Sequence, residues 1–361
     1  VAKCVVDSIN DVRVGEGAVP MLKANSKVRV KGYVGDGKNV MSDFSGLISV
    51  LVRDSRERQE CLGNDPALDE IFTFYDRTKT LFSGTDSVRN GRFDITFVVP
   101  KDINYSDDNG LITMFAYTSD GQMTAHGECD EFRVGGSSVQ HNDSIGPSVY
   151  CYLNSPMFVN GGNVNNTPFF VAEIKDADGI NASGAGIGHD MQLIIDNDAS
   201  MTYNLNENFN YNFGTYTEGT TFCYLPHLEP GIHTLQFRVW DVLNNPSVTR
   251  LSFNVVEGLA PNIVDVNATQ NPAQDATTFI VTHNRPGSEF DVMIEIFDMS
   301  GRLLHKIISP STPGTTTCTV PWDVTIANGK RLRTGVYLYR VNISCDGSRN
   351  VSKAKKIVVT N

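Results

Sequence analysis

Three tandem β-sandwich modules of immunoglobulin-like type, all-β and with almost no helix, are what this sequence predicts, on three observations. Apolar residues fall in short runs rich in Val, Ile, Phe and Tyr that alternate with polar ones. Gly, Asp, Asn and Pro punctuate those runs, and helical periodicity is missing outside one short turn. Two linkers, Gly135 to Ser144 and Leu259 to Asn262, part the chain into modules 1–144, 145–257 and 258–361.

In the first module, Lys27–Val34 places Val28, Val30 and Val34 on one face and Lys27, Arg29 and Lys31 on the other, as a half-buried strand requires. Leu47–Val52, Ile71–Tyr75, Arg92–Val99 and Leu111–Tyr117 follow in the same style, and the module ends near Phe132–Gly136. Asp65–Ile71 offers the single turn of helix. The second module begins with Gly146–Leu153. It closes with two alternating stretches, Gly231–Trp240 and Leu251–Val256, joined through an Asn244-Asn245-Pro246 turn, an immunoglobulin-like ending. In the third, Val292–Phe297, Gly335–Ile343 and Ala354–Val359 read as strands, and Asp298-Met-Ser-Gly-Arg302 as a tight hairpin turn.

With 361 residues, 40% hydrophobic and 20% charged, the chain can bury two or three cores and is not disordered. No window approaches the roughly 18 apolar residues of a membrane helix, so no transmembrane segment is expected. The start at Val1 lacks a leader pattern and reads as that of a mature or excised fragment. A net charge of -11 argues against nucleic acid as a partner, since phosphate binding needs a basic surface. The charge is uneven: residues 258–361 hold 11 Lys+Arg against 8 Asp+Glu, while residues 1–257 are strongly acidic. The seven cysteines include no Cys-x-x-Cys pair. Cys151 with Cys223 and Cys318 with Cys345 share modules, so two disulfides and buried free thiols both stay open.

The most specific stretch is Glu173 to Asp190, a polar, glycine-dense loop between the strand-like runs Phe169–Ile174 and Leu193–Ile195. Its glycines (179, 184, 186 and 188) supply unusual backbone angles, while Asp176, Asp178, Asn181 and Ser183 can bond their own backbone. A self-bonded turn is the reading the spacing favours. Asp176, Asp178, Asn181 and Asp190 are also hard oxygen donors, which leaves calcium as the alternative, although their spacing departs from the Asp-x-Asp-x-Asp-Gly loop with its distal Glu. No other cofactor is expected. His189 beside Asp190 reads as structural, because no nucleophile motif lies near it, and His126-Gly-Glu-Cys129 is too close in sequence for a thiol-protease pair. Trp240 and Trp322 could stack on sugars, but core packing is the commoner use of a lone tryptophan. No catalytic residue is expected.

Asp178–Asp190, Gly231–Leu235, Trp240–Asn245, Trp322-Asp323 and Gly335–Arg340 together resemble the C-terminal half of the type IX secretion sortases, the PorU-like, gingipain-related C25 cysteine peptidases. The resemblance covers nearly the whole chain but not the family's upstream catalytic domain. It therefore implies accessory β-modules and carries over no catalytic residue. Asn271-Pro272, Asp298–Arg302, Trp322-Asp323 and Gly335–Tyr337 also resemble the FlgD-like sorting-signal domain of type IX cargo. By resemblance the parent is secreted to the outer cell surface, where it cleaves cargo sorting domains and attaches cargo to anionic lipopolysaccharide beside an outer-membrane β-barrel partner. Asp7-Ser-Ile9, Asp86-Ser-Val88 and Asp143-Ser-Ile145 look like the Asp-Ser-apolar O-glycosylation pattern of such bacteria.

A docking role is expected for residues 258–361, with Lys330, Arg331, Arg333, Lys353, Lys355 and Lys356 as the basic contacts. The bland alternative is that these lysines guard an exposed strand edge. A surface adhesin or carbohydrate-binding β-sandwich is the competing function.

Overall fold

The computed structural model describes residues 2–61, 71–138, 144–184, 188–326, 329–345 and 347–360. Strand dominates throughout, and the only helical piece among these residues is a 3-10 turn, Ala199–Met201, started by the Asp198 carboxylate accepting from Ser200 N. No helix among them is long and apolar enough to cross a membrane. The turn expected at Asp65–Ile71 lies outside the described residues apart from Ile71. The chain divides into two compact units: Val1–Tyr150 with Ala172–Phe222 and Leu235–Arg250, and Cys151–Val171 with Cys223–Thr234 and Leu251–Asn361.

In the first unit an eight-stranded sheet runs in the order Thr80–Val88, Gly46–Arg53, Leu111–Thr118, Thr124–Cys129, Lys3–Ile9, Lys27–Gly35 and Arg92–Val98, with Val12–Arg13 beside Lys3–Ile9. Alternation does what the sequence predicts in Lys27–Gly35: Val28, Val30 and Val34 are fully buried, while Lys27 and Arg29 face water. Across the ladder Arg29 forks onto both oxygens of Asp94. Lys3–Ile9 joins the sheet parallel to Thr124–Cys129, and their approach at Gly127 is so close that a Cβ there would lie 1.9 Å from the Cys4 carbonyl oxygen. Asp108–Asn109, Arg133–Ser137 and Met21–Ala24 form a smaller sheet, and both contribute to a core that includes Leu22, Phe97, Ile112, Phe132 and Val134.

Between residues 148 and 255 a four-stranded sheet orders Ser148–Leu153, Phe169–Lys175, Glu218–Tyr224 and Asn210–Tyr211. A five-stranded one orders Asn163–Val164, Pro246–Val255, Gly231–Trp240, Gln192–Ile195 and Thr202–Asn204.

The last hundred residues of the second unit build two sheets. Ile263–Ala268, Thr277–His283 and Thr317–Trp322 make one; Leu303–Pro310, Asp291–Phe297, Gly335–Cys345 and Ser348–Val351 make the other, with Lys355–Val359 also on Gly335–Cys345. Phe279, Val292, Ile294, Val320, Trp322, Val341 and Ile357 fill the core they share. Trp322 stacks on Phe279 at 5.8 Å and donates its indole N–H to the Thr325 carbonyl, so it is a core residue and not a sugar platform. At Asp298–Arg302 the Asp298 carboxylate accepts from the backbone of Ser300 and Arg302, fixing the hairpin.

None of the seven cysteines is in a disulfide, and of the two open readings the structure takes that of unbridged thiols. Cys151 and Cys223 sit on strands separated by Phe169–Lys175, two strand spacings or about 9.5 Å apart, beyond the reach of a disulfide. Cys318 and Cys345 lie in different sheets.

Candidate functional site

The 173–190 loop leaves strand Phe169–Lys175 and is tied down almost at once. Asp176 Oδ1 accepts from the backbone N–H of Asp178 (2.9 Å) and Gly179 (3.0 Å), an Asx turn that Gly179 completes with φ of 117°. The chain then runs beside Trp240–Val242: Asn181 N donates to the Trp240 carbonyl, Val242 N to the Gly179 carbonyl, and the Tyr211 hydroxyl to the Ile180 carbonyl. Asn181 is fully buried, and its Oδ1 accepts from both the backbone N–H and the hydroxyl of Ser183.

Asn206 was not foreseen, yet it staples the two ends of the remaining loop. Its Nδ2 donates to the Ala182 carbonyl at 3.3 Å and its Oδ1 accepts from Met191 N at 3.0 Å. Ala185, Gly186 and Ile187 lie outside the described residues. No sequence signal marked Asn206, which is 24 residues from Ala182.

His189 Nδ1 lies 2.5 Å from Asp102 Oδ2, whose other oxygen accepts from Asn244 Nδ2 at 3.0 Å. The His189 ring rests on Trp240 with centroids 4.4 Å apart, and the Arg238 guanidinium sits over the same indole. The histidine's neighbours are thus a carboxylate, an amide and an aromatic face, and its role is to clamp loop to scaffold.

The four oxygen donors weighed for calcium divide. Asp176 and Asn181 spend an oxygen on the loop's own backbone. Burial pushes the Asp176 carboxyl up to about 6; the two backbone N–H groups oppose this, and the neighbouring Asp241 carboxylate adds to it. Asp190 stands apart from them on the wall of a polar cleft. Among the described residues no group of three or more His, Cys, Asp or Glu converges as a metal site.

His126 and Cys129 share strand Thr124–Cys129, but the histidine faces solvent and the thiol is buried, with burial raising its pKa. A closer Cys–His pair is one that sequence reasoning missed. Cys318 Sγ lies 3.2 Å from His283 Nε2 inside the C-terminal sandwich. Because His283 Nδ1 accepts from Arg285 N, the ring proton sits on Nε2 and points at sulfur. Burial, reinforced by Arg285, lowers the His283 pKa to about 4, and burial raises the thiol, so this is a neutral, packed pair rather than an activated nucleophile.

The basic residues expected to dock also divide. Arg331 pairs with Asp275 and Lys355 with Asp265, each within its own module, whereas Lys330, Arg333, Lys353 and Lys356 are exposed. The Lys355–Val359 strand is not a bare edge, since Ala273 exchanges backbone bonds with Val358 and Thr360. Of the glycosylation-like serines, Ser8 is buried in its strand and Ser87 is half-buried, so neither offers an exposed hydroxyl; Asp143 of the third lies outside the described residues.

No family model and no curated protein matches the chain. Among solved structures it is similar to dimeric latent PorU from Porphyromonas gingivalis, with 34% identity over 99% of this chain and 34% of that one, at a TM-score of 0.47. SGBP-B of the Bacteroides ovatus mixed-linkage glucan utilization locus, in complex with a mixed-linkage heptasaccharide, matches over 99% of this chain and 70% of its own at 8% identity and a TM-score of 0.26, too low to bear on fold or function. The chain thus spans about a third of PorU and is similar in sequence to that region along nearly its whole length.

Proposed function

We propose that this chain forms accessory, non-catalytic β-modules of a cell-surface type IX secretion sortase and that residues 258–361 are its docking unit. The supporting observation is 34% identity to PorU along 99% of the chain; the reading leans on sequence, not on the superposition. On this reading the parent protein is a secreted cysteine peptidase of the gingipain-related family. It cleaves cargo C-terminal sorting domains, attaches cargo to anionic lipopolysaccharide, and is held by an outer-membrane β-barrel partner. The neutral, buried Cys318–His283 pair and the split His126–Cys129 pair are consistent with chemistry housed elsewhere in the parent.

Arg331 and Lys355 are spent on local ion pairs, which narrows the basic contacts to be tested to the exposed Arg333, Lys353 and Lys356. The test is deletion of residues 258–361 and, separately, reversal of Arg333, Lys353 and Lys356 to Glu, with surface retention and binding to the purified barrel measured. Loss in both, with binding that weakens as salt rises, is expected. Full retention and unchanged binding after the deletion reject the docking role. Loss with the deletion alone moves the contact to the module's apolar surface.

A further inference from the structure

The first unit carries a cleft of about 700 Å³, within the usual range of about 300–1,000 Å³ for small-molecule sites. One wall comes from the eight-stranded sheet and its flanks, including Leu51, Thr80 and Ser83; the other comes from the loop and from residues 204–210. The loop wall is built rather than incidental. Asn206 fixes it at Ala182 and Met191, and Gly184, at φ of 58°, lets the backbone close on Asn206 and Asp190, where a Cβ would lie 3.0 and 3.1 Å from their side-chain atoms.

The lining decides the ligand class. Among the described residues it includes no Lys, Arg or His, so an anion there would sit beside two carboxylates with no cation of the lining to neutralise it. Among the described residues no group of three or more His, Cys, Asp or Glu converges in it. Seven of its residues carry uncharged hydroxyls or amides, against the two carboxylates Asp190 and Glu207. Neither carboxylate, nor the hydroxyls of Thr80 and Ser83, has a hydrogen-bond partner among the described residues, so all four stand ready to accept from or donate to ligand hydroxyls. Half-buried Leu51 adds an apolar contact to the lining, whereas Phe209 is buried with its ring edge-on against Tyr211 and closes the floor.

We propose that this cleft binds a neutral oligosaccharide, with Asp190 and Glu207 accepting from its hydroxyls and Leu51 supplying an apolar contact. The proposal stands apart from the docking role, because the cleft involves no residue beyond 210. The experiment is calorimetric titration of the full chain with neutral gluco-, manno-, galacto- and chito-oligosaccharides, with a lysine-rich peptide alongside. At least one neutral oligosaccharide should bind with an affinity indifferent to salt. Glu207→Gln and Asp190→Asn should each weaken it about tenfold or more, the loss expected for a hydrogen bond to a charged group. Ser83→Trp, an exposed position that plugs the cleft, should abolish binding with the melting temperature unchanged. Failure of every neutral oligosaccharide, binding that survives Ser83→Trp, or salt-sensitive binding of the basic peptide alone would overturn it.

Discussion

The 173–190 loop of the first unit and the C-terminal sandwich of the second are held by opposite means. The loop is fixed by polar groups: the Asp176 and Asn181 turns, the Asn206 staple, and His189 against Asp102. The sandwich is fixed by volume, with Phe279, Val281, Ile294, Val320 and Val341 fully buried between two sheets. Even their histidine pairs differ. His189 keeps about a quarter of its side chain in water beside a carboxylate, whereas His283 is 1% exposed beside a thiol. The sandwich holds its Cys–His pair neutral within an apolar core, whereas the loop relies on directed hydrogen bonds to its own backbone and to the scaffold.

Truncation should separate the two regions most sharply. Phe279→Ala removes a fully buried ring that stacks on Trp322 and packs tilted against Tyr339, and should cost about 3–5 kcal/mol in chemical denaturation. Asn206→Ala strips two hydrogen bonds from a half-exposed site and should cost about 1–2 kcal/mol while opening the loop to hydrogen exchange. Equal losses, or protection of the loop unchanged in Asn206→Ala, would break the comparison.

The two regions should also answer pH with opposite signs. Asp176 is raised in the fold from 3.8 to about 6, so its contribution is fully present below about pH 4 and is lost as pH rises through 6. His283 is lowered from 6.5 to about 4, so the unfolded chain takes up the proton first; its contribution is full above 6.5 and falls away as pH drops toward 4. Relative to the parent chain, Asp176→Asn should therefore gain melting temperature at pH 7 over pH 4. The His283 ring should show no NMR titration above about pH 5. A His283 midpoint near 6.5, or an Asp176→Asn difference that shrinks toward pH 7, would contradict the assignment.

What could be read from the sequence follows the same divide. Strands such as Lys27–Gly35 and Asp291–Phe297 announce themselves, because one face is buried and alternation records it. Thr80–Val88 does not: Gly84, Thr85, Asp86 and Ser87 show no alternation, and the ladder with Gly46–Arg53 makes that stretch a strand. In the loop, the Asx turn at Asp176 and the Asn181–Ser183 bonds were legible, since those side chains act on their own neighbours. The Asn206 staple, the Asp102 partner of His189 and the cleft were not, for each joins residues brought together only by the fold. Whether the cysteines pair stayed open in the sequence for the same reason, because distance across or between sheets is not written in spacing along the chain.

The smallest expected effect is a null one, and it bears on how the loop is held. With Asp176 and Asn181 turned onto backbone N–H groups, an ion would have to compete for oxygens already engaged, and Asp190 stands apart on the cleft wall. Excess chelator should therefore leave the melting temperature of the full chain unchanged, and added calcium should not raise it. A site occupied at a hundredfold excess over its Kd would contribute about 2.7 kcal/mol, several degrees for a protein of this size and well above measurement error. A drop of that order on chelation, restored by calcium and absent in Asp176→Asn, would show that the donors leave the backbone for the ion and that the loop belongs with metal sites after all.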